Sequence, residues 1–214
     1  MGRMQTARRA VFGALGVVVA VFLGGPARAA DAAAGKQAFA ICAACHGQQA
    51  EGIQAMNAPR LAGLQGWYIK RQMDAFRTGL RGTAPGDTHG MQMRPMAISV
   101  AAPAAVDNIV AYIESLPVAA PAVTVQGDVA AGKTAYGVCA ACHGADGKGN
   151  EQLGGPRLAG QDDWYLVRQI QNYQKGLRGY DPKDTYGAQM KPMAATLANP
   201  ETLNNVVAYI NSLQ

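Results

Sequence analysis

The sequence predicts an all-α protein built from two tandem copies of one domain, and three observations support this. Residues 33–116 align with residues 130–213 without a gap, at a constant offset of 97 and with about half of the positions identical. Apolar residues near the end of each copy recur with the i, i+3, i+4, i+7 period of one helix face. No segment shows the apolar–polar alternation of a half-buried strand. A repeat this long is a domain duplication, because solenoid repeats are about 20–50 residues long.

Residues 1–29 have the layout of a secretory signal peptide, in which Arg3, Arg8 and Arg9 precede an apolar run and a small-residue cleavage site. The apolar run is shorter than the roughly 20 residues of a bilayer span, although a retained membrane anchor stays an alternative. The chain of 214 residues has a formal charge of +5, but the leader holds four arginines and no acid, which leaves 15 basic and 14 acidic residues. A net charge of +1 removes the main support for nucleic-acid binding. We expect export to the periplasm.

After the leader we expect an N-terminal domain over residues 30–117 and a C-terminal domain over residues 128–214. Residues 118–127 are expected to be a linker, because Pro117 and Pro121 stand among small and β-branched residues that favour extended backbone.

Each domain is expected to contain a short helix that leads into the cysteines, a middle helix and a last helix. The expected segments are residues 33–40, 67–78 and 106–113 in the first copy, and residues 130–137, 164–175 and 203–210 in the second. Asn199, Pro200 and Glu201 have the features of an N-cap, a first-turn proline and an early acid. The connections, rich in glycine and proline, are expected to be long and irregular.

All four cysteines lie in two Cys-x-x-Cys-His motifs, which indicate covalent attachment of a c-type haem. Two thiols in one tight turn can each add to a vinyl group of the same porphyrin, and the adjacent histidine then lies beneath the ring, where its imidazole binds iron. The motif residues are Cys42, Cys45 and His46 in the first copy, and Cys139, Cys142 and His143 in the second. We therefore predict two covalently bound haem c groups.

A thioredoxin-like dithiol and a zinc site are the alternatives for this motif. A dithiol does not need a histidine directly after the second cysteine. A zinc site needs further ligands, but the only other histidine is His89, whose counterpart in the second copy is Tyr186.

A low-spin electron-transfer haem needs a second axial ligand, commonly methionine. Equivalent haems should have equivalent ligands, so only methionines that recur in both copies qualify. Met56, Met73 and Met91 fail this test, since their counterparts are Leu153, Ile170 and Ala188. Two pairs remain, Met93 with Met190 and Met96 with Met193, both within Met-x-Pro-Met.

The leader and the tandem haem motif, together with three further repeated motifs, resemble the dihaem cytochrome c4 family over essentially the whole mature chain. These motifs are Pro-Arg-Leu-Ala-Gly at residues 59–63 and 156–160, Trp-Tyr-x-x-Arg-Gln at 67–72 and 164–169, and Met-x-Pro-Met-Ala at 93–97 and 190–194. The resemblance implies two class I cytochrome c folds, each wrapped around one haem. It also implies that the first methionine of each motif is the sixth ligand, so that Met93 is paired with His46 and Met190 with His143. It implies further that the carbonyl oxygens of Pro59 and Pro156 orient the proximal imidazoles.

Several other repeated side chains are weaker candidates for contacts with the haem propionates. For Arg60, Arg157, Trp67, Trp164, Tyr68 and Tyr165 the alternatives are core packing for the aromatic rings and solvation for the arginines. Arg81 and Arg178 stand between glycines and are expected to be loop-surface residues or neighbours of a propionate.

The resemblance implies a periplasmic electron carrier rather than an enzyme, because histidine and methionine fill both axial positions of each iron and leave none for a small-molecule substrate. The implied partners are a cytochrome bc-type complex as donor and a terminal oxidase, for example of the cbb3 type, as acceptor. Membrane association would come through these partners or through an uncleaved leader. The similarity of the two halves argues against a large difference in potential between the haems.

Two other functions stay open. One is a dihaem electron-accepting subunit of a dehydrogenase such as flavocytochrome sulfide dehydrogenase. The other is a haem enzyme, either a peroxidase or a thiosulfate-oxidising cytochrome, which would need an open or unusually ligated haem.

Overall fold

A computed structural model describes residues 1–2, 29–100 and 102–213, so the predicted leader lies almost entirely outside the described residues. The first copy contains α1 (Ala32–His46), α2 (Gly66–Thr78), α3 (Thr88–Ser99) and α4 (Pro103–Ser115), with a 3-10 turn over Gln54–Met56. The second copy contains α5 (Val129–Tyr136), α6 (Ala140–His143), α7 (Asp163–Gln174), α8 (Thr185–Ala195) and α9 (Pro200–Asn211).

The described residues form helices and two isolated β-bridges, Ile53 with Ala58 and Asn150 with Gly155, but no strand. The predicted all-α fold in two tandem copies is therefore confirmed. Over this part of the chain, no single helix has the length and hydropathy of a membrane span. Helices α3 and α4, which meet at a bend of 114°, have the length and composition of a span only when the two are taken together.

The first helix differs between the copies. Asp31 caps α1, which runs through the cysteines to His46 and is longer than the expected segment. In the second copy the same stretch is divided into α5 and α6, and the division falls at Gly137, where the first copy has Ala40. Glycine in a helix interior costs about 1 kcal/mol relative to alanine, which accounts for the break.

The first and last helices of each domain cross at very short range. A Cβ atom on Gly35 would lie 1.9 Å from the carbonyl oxygen of Asn108, and one on Gly132 would lie 1.9 Å from that of Asn205. Because the contacted atoms belong to backbone, neither helix can move aside locally. In the first copy α1, which contains the Cys-x-x-Cys-His motif, is thus held against the last helix. In the second copy the helix held in this way is α5, which ends just before the motif.

Helices α3 and α8, which contain the Met-x-Pro-Met motifs, correct the expectation of an irregular connection. Asp87 and Asp184 cap them, each accepting a hydrogen bond from the amide three residues further on, at 2.9 and 3.0 Å. Pro95 and Pro192 lie inside the helices, where a proline normally costs about 3 kcal/mol. Local propensity thus argues against a helix here, and the caps and the contacts with α2 and α7 outweigh it.

Two residues of the predicted linker, Thr124 and Val125, are held against the C-terminal domain by Asp163, which is fully buried. Its carboxylate accepts hydrogen bonds from the amides of Thr124 and Val125, from the hydroxyl of Thr124 and from the side-chain amide of Asn211. Burial opposes ionisation of Asp163, but the hydrogen bonds outweigh it and lower its pKa. The equivalent residue of the first copy is Gly66, so the first copy lacks a carboxylate at this position.

We expect Asp163→Asn to lower the free energy of unfolding at neutral pH by about 2 kcal/mol, because an amide cannot accept all of these hydrogen bonds and leaves buried donors unpaired. The folded pKa lies below the unfolded value, so the stabilisation is present above the unfolded pKa and lost as the pH falls through the folded one. Denaturant unfolding should therefore show a difference in stability between Asp163→Asn and wild type that is smaller at acid pH than at neutral pH. Asp107→Asn, which removes only an exposed ion pair with Lys70, is the control, and equal stability of Asp163→Asn and wild type at neutral pH would contradict the role of Asp163.

Candidate haem sites

Each haem-binding motif ends a helix, because His46 is the last residue of α1 and His143 the last residue of α6. Nδ1 of His46 lies 2.7 Å from the carbonyl oxygen of Pro59, and Nδ1 of His143 lies 2.8 Å from that of Pro156. A carbonyl oxygen can only accept, so Nδ1 carries the proton in both rings. The expected contacts with the two prolines are confirmed, and Nε2 of each ring keeps its lone pair for iron.

Both imidazoles are buried, with 7% of His46 and 8% of His143 exposed. Burial lowers the pKa of each histidine, and the hydrogen bond to the proline carbonyl opposes this effect only in part. A lowered pKa favours the neutral form of each ring, which is the form that binds a metal.

The two cysteines of each motif are not joined by a disulfide, and their electrostatics do not fit a reactive dithiol. Burial raises the pKa of Cys42 and of Cys139, and the second cysteine of each motif adds to the effect. A catalytic dithiol needs a lowered pKa. For the zinc alternative, no three side chains of His, Cys, Asp or Glu come together in the described part of the chain.

A cavity of about 480 Å³ opens between the C-terminal domain and the interface, where Leu64, Tyr68, Arg71 and Gln72 of the first domain also line it. Its volume is in the range of cofactor sites. Its wall is mostly apolar, with side chains from α7 and α9. The same wall contains the motif residues and both candidate methionines, namely Cys139, Cys142, His143, Met190 and Met193. The fold thus brings together groups that are far apart in the sequence.

Exposure separates the two candidate methionines of the second copy, because Met193 is 37% exposed whereas Met190 is half-buried. In the first copy Met93 and Met96 are both half-buried. Exposure does not distinguish the two methionines of the first copy, so the choice of Met93 and Met190 as ligands stays a prediction from the resemblance.

The paired aromatic residues of α2 and α7 have the same geometry in both domains. The rings of Trp67 and Tyr68 are 5.9 Å apart at an interplanar angle of 76°, and those of Trp164 and Tyr165 repeat both values. Tyr165 also accepts a hydrogen bond from Arg81 at 3.2 Å, and Tyr68 and Tyr165 both line the cavity of the C-terminal domain, so a contact with a haem propionate stays a prediction for these residues.

Two arginines from the same motifs join the domains reciprocally. Arg71 donates to the carbonyl oxygen of Gly154 at 2.7 Å, and Arg168 donates to that of Asn57 at 2.6 Å. Gly154 is the repeat equivalent of Asn57, so the two contacts are the same contact with the domains exchanged. Sequence reasoning missed this role, and the only available signal was that arginine recurs in Trp-Tyr-x-x-Arg-Gln.

Arg60 and Arg157 occupy equivalent positions but have different partners. Arg60 is 6% exposed, forms an ion pair with Asp162 at 3.7 Å and donates to the carbonyl oxygen of Ala119 at 2.9 Å. Arg157 donates from Nε to the carbonyl oxygen of Ala159 at 2.8 Å. The expectation of a solvated side chain is wrong for Arg60.

Arg81 and Arg178 lie in the centre of the domain interface, with 9% and 6% exposed, so the loop-surface expectation is wrong. Arg81 donates to Gln72 of its own domain at 2.7 Å and to Gln169 of the other at 3.0 Å. Arg178 donates to Gln169 at 2.9 Å and to Gln72 at 3.2 Å. The interface therefore contains a pseudo-symmetric cluster of two arginines and two glutamines.

This cluster has a deficit of negative charge. Among the described residues neither Arg81 nor Arg178 has a carboxylate ion-pair partner, and the Nε atom of each is buried without a hydrogen bond. Two buried cations require an anionic partner. Haem propionates, which are carboxylates, have the charge and the hydrogen-bonding capacity that these guanidinium groups lack, so the residues present fit haem.

A family model described as cytochrome c matches residues 32–117 and 129–214. The chain is 31% identical over 201 residues to cytochrome c4 of Azotobacter vinelandii, and the alignment covers 86% of this chain and 90% of that protein. The chain belongs to the dihaem cytochrome c4 family. Cytochrome c4 also matches in structure, since the reduced recombinant protein from Pseudomonas stutzeri has a TM-score of 0.66 at 25% identity, over 87% of this chain and all of that one.

Two further relatives carry names from particular electron-transfer systems. The chain is 32% identical over 196 residues to a thiosulfate dehydrogenase electron acceptor of Stutzerimonas stutzeri, with 83% of this chain and 86% of that protein covered. It is 32% identical over 184 residues to a cbb3-type cytochrome c oxidase subunit of Rubrivivax gelatinosus, of which it covers 54%.

Membership in the cytochrome c4 family, with a cytochrome c domain in each half, means that the chain holds two covalently bound haem c groups and acts as an electron carrier.

Proposed function

We propose that this dihaem cytochrome is a periplasmic electron shuttle, with a cytochrome bc-type quinol-oxidising complex as donor and a cbb3-type terminal oxidase as acceptor. The observation that carries the proposal is the cavity whose wall contains both His143 and Met190. When bound, haem supplies an iron that gains and loses one electron. With both axial positions filled by protein side chains, that exchange needs no substrate at the iron.

In this proposal each side chain has a defined task. Cys42, Cys45, Cys139 and Cys142 attach the two haems, His46 with Met93 and His143 with Met190 are the axial ligands, and the carbonyl oxygens of Pro59 and Pro156 hold the imidazoles in one tautomer. Arg81 and Arg178 neutralise propionates at the domain interface.

The proposed location and partners have independent support. The signal-peptide layout of residues 1–29 favours the periplasm. The similarity to a cbb3-type oxidase subunit supports an acceptor of that class. Membrane association would come through these partners or through an uncleaved leader.

A second candidate is an electron acceptor for a dehydrogenase, and the similarity to a thiosulfate dehydrogenase electron acceptor favours a thiosulfate rather than a sulfide enzyme. A peroxidase or a thiosulfate-oxidising enzyme would need an axial position open to its substrate. We propose that histidine and methionine close both positions, so that the protein is a carrier and not an enzyme.

Ile41 and Val138 provide a test, because these equivalent apolar residues stand directly before the haem-binding motifs and are 50% and 59% exposed. We expect the reduced protein to be oxidised rapidly by membranes containing a cbb3-type oxidase. Replacing the docking residue by lysine should slow this about tenfold through a lower association rate, with only a small, salt-screened change in the potential of the adjacent haem.

Ile41→Lys and Val138→Lys are matched controls for each other, because they place the same charge beside different haems. Stopped-flow oxidation by the membranes and stopped-flow reduction by thiosulfate dehydrogenase with thiosulfate should be compared for both variants. Fast reduction by the dehydrogenase, with no oxidation by the membranes, would replace the shuttle with the second candidate.

A further inference from the structure

In the N-terminal domain a single peptide group connects the proximal histidine to the other domain. Its carbonyl oxygen, on Pro59, accepts from Nδ1 of His46 at 2.7 Å. Its N–H, on Arg60, donates to the Oδ2 atom of Asp162 at 2.8 Å, and this carboxylate belongs to the C-terminal domain. One amide group therefore links the hydrogen bond of His46 to the hydrogen bond of Asp162.

The C-terminal domain has the same arrangement with one change. The carbonyl oxygen of Pro156 accepts from His143 at 2.8 Å, and the N–H of Arg157 donates to the Oε1 atom of Gln65 at 2.9 Å. Gln65 is the repeat equivalent of Asp162. The series of hydrogen bonds from the histidine through the peptide group therefore ends on a carboxylate in the N-terminal domain and on a neutral amide in the C-terminal domain.

The carboxylate of Asp162 is held in the interface as part of a buried ion pair. Its side chain is 10% exposed, and its Oδ1 atom lies 3.7 Å from Nε of Arg60. Burial raises the pKa of Asp162, while the N–H and the positive charge of Arg60 both favour the ionised form. Because the pair is shielded from water, salt should screen its field far less than that of a surface charge.

A carboxylate acceptor makes a stronger hydrogen bond than a neutral one, and hydrogen bonds in series polarise one another. The amide between Pro59 and Arg60 therefore carries more negative charge on its carbonyl oxygen than its counterpart in the C-terminal domain. A stronger acceptor at Nδ1 makes the imidazole a more basic ligand, which stabilises ferric iron.

Arg60 and Arg157 add to this asymmetry in the same direction. Asp162 neutralises the charge of Arg60, whereas Arg157 donates from Nε to a backbone carbonyl and has no ion-pair partner among the described residues. Glu51 and Lys148, which are also equivalent in the repeat, differ in charge as well, but both are exposed.

We propose that Asp162 tunes the haem of the opposite domain, by strengthening the hydrogen bond between His46 and Pro59 and so holding the N-terminal haem at a lower potential than the C-terminal haem. Asp162 is a positioning and polarising residue that acts across the interface. The similarity of the two halves argues against a large difference in potential, but the exchange of Gln65 for Asp162 makes the hydrogen bonds behind their proximal histidines unequal. The inference rests on the proposed role of His46 and His143 as iron ligands.

The test uses the full dihaem protein and three variants. Asp162→Asn keeps the shape and an oxygen acceptor for Arg60 but removes the charge, so the N-terminal haem should shift about tenfold toward the reduced form at a given ambient potential, which corresponds to about 59 mV for one electron. Gln65→Glu places a carboxylate in the mirror position and should lower the potential of the C-terminal haem. A redox titration followed by NMR resolves the two haems, and the signals lost in Met93→Ala identify the N-terminal one.

Glu51→Gln is the matched control, because it removes an exposed carboxylate from the same domain. Its effect on the N-terminal haem should be smaller and should fade at high salt, whereas that of Asp162→Asn should not. An unchanged N-terminal potential in Asp162→Asn, or equal shifts of both haems, would overturn the inference while the carrier function stands. If Asp162→Asn fails to retain haem, Gln65→Glu decides, since an unchanged C-terminal potential would overturn the inference. A wild-type protein without histidine–methionine ligation would instead overturn the proposed function.

Discussion

Met190→Ala is expected to open the iron of the C-terminal haem, so that the reduced variant binds one carbon monoxide per chain while the wild-type protein binds none. Alanine offers no ligand atom, and Met190 shares the wall of one cavity with His143. The potential of that haem should also fall, because a methionine ligand raises it. Carbon monoxide difference spectra and a redox titration measure both effects, and Met93→Ala should do the same in the first domain.

Met193→Leu is the matched control, since Met193 lines the same cavity but is 37% exposed. This variant should keep the iron–methionine charge-transfer band of the oxidised protein and should bind no carbon monoxide. If Met193→Leu opens the iron and Met190→Ala does not, the two methionines exchange roles.

Gly35→Ala and Gly132→Ala are expected to destabilise their domains by about 3 kcal/mol each, the upper end of the usual cost of overpacking. The added Cβ would lie 1.9 Å from a backbone carbonyl oxygen of the last helix, so the helix crossing must open. The Cys-x-x-Cys-His motif lies within α1 in the first copy and directly after α5 in the second, so the loss should lower the yield of haem-loaded protein. Denaturant unfolding, followed by the haem absorbance of the purified variants, measures the change.

Gly137→Ala is the control of the same chemistry, because a Cβ atom there would come no closer than 3.3 Å to Thr134 and the backbone of Gly137 is already helical. This variant reproduces Ala40 of the first copy and should stabilise the protein by about 0.5–1 kcal/mol. If Gly132→Ala were as stable as Gly137→Ala, the helix crossing would not require glycine.

Much of the helical structure could be predicted from local patterns, because the apolar period and the caps are properties of neighbouring residues. The last helix of the second copy begins as expected, with Asn199 accepting from the amides of Glu201 and Thr202 and with Pro200 in the first turn. The same reasoning missed α3 and α8. Their glycines and their internal prolines, Pro95 and Pro192, argue against a helix locally, and contacts with α2 and α7 decide otherwise.

For the candidate haem sites, the repeat predicted which residue types take part, but it did not predict which residues surround them. The repeat filter reduced the nine methionines to the pairs Met93/Met190 and Met96/Met193, because two equivalent haems impose equivalent ligands. It could not show that Arg81 and Arg178 lie buried against each other's domains, since their flanking glycines are equally compatible with an exposed loop.

What the sequence determined by itself is the duplication, the covalent haem chemistry of the two Cys-x-x-Cys-His motifs and a small set of candidate axial ligands. These depend on residue type and short spacing. Only the tertiary structure decided how the two copies meet. Asp162 reaches Arg60 across 102 positions of the chain, and Gln65 reaches Arg157 across 92. No local pattern specifies such contacts, since they depend on the relative placement of two folded domains.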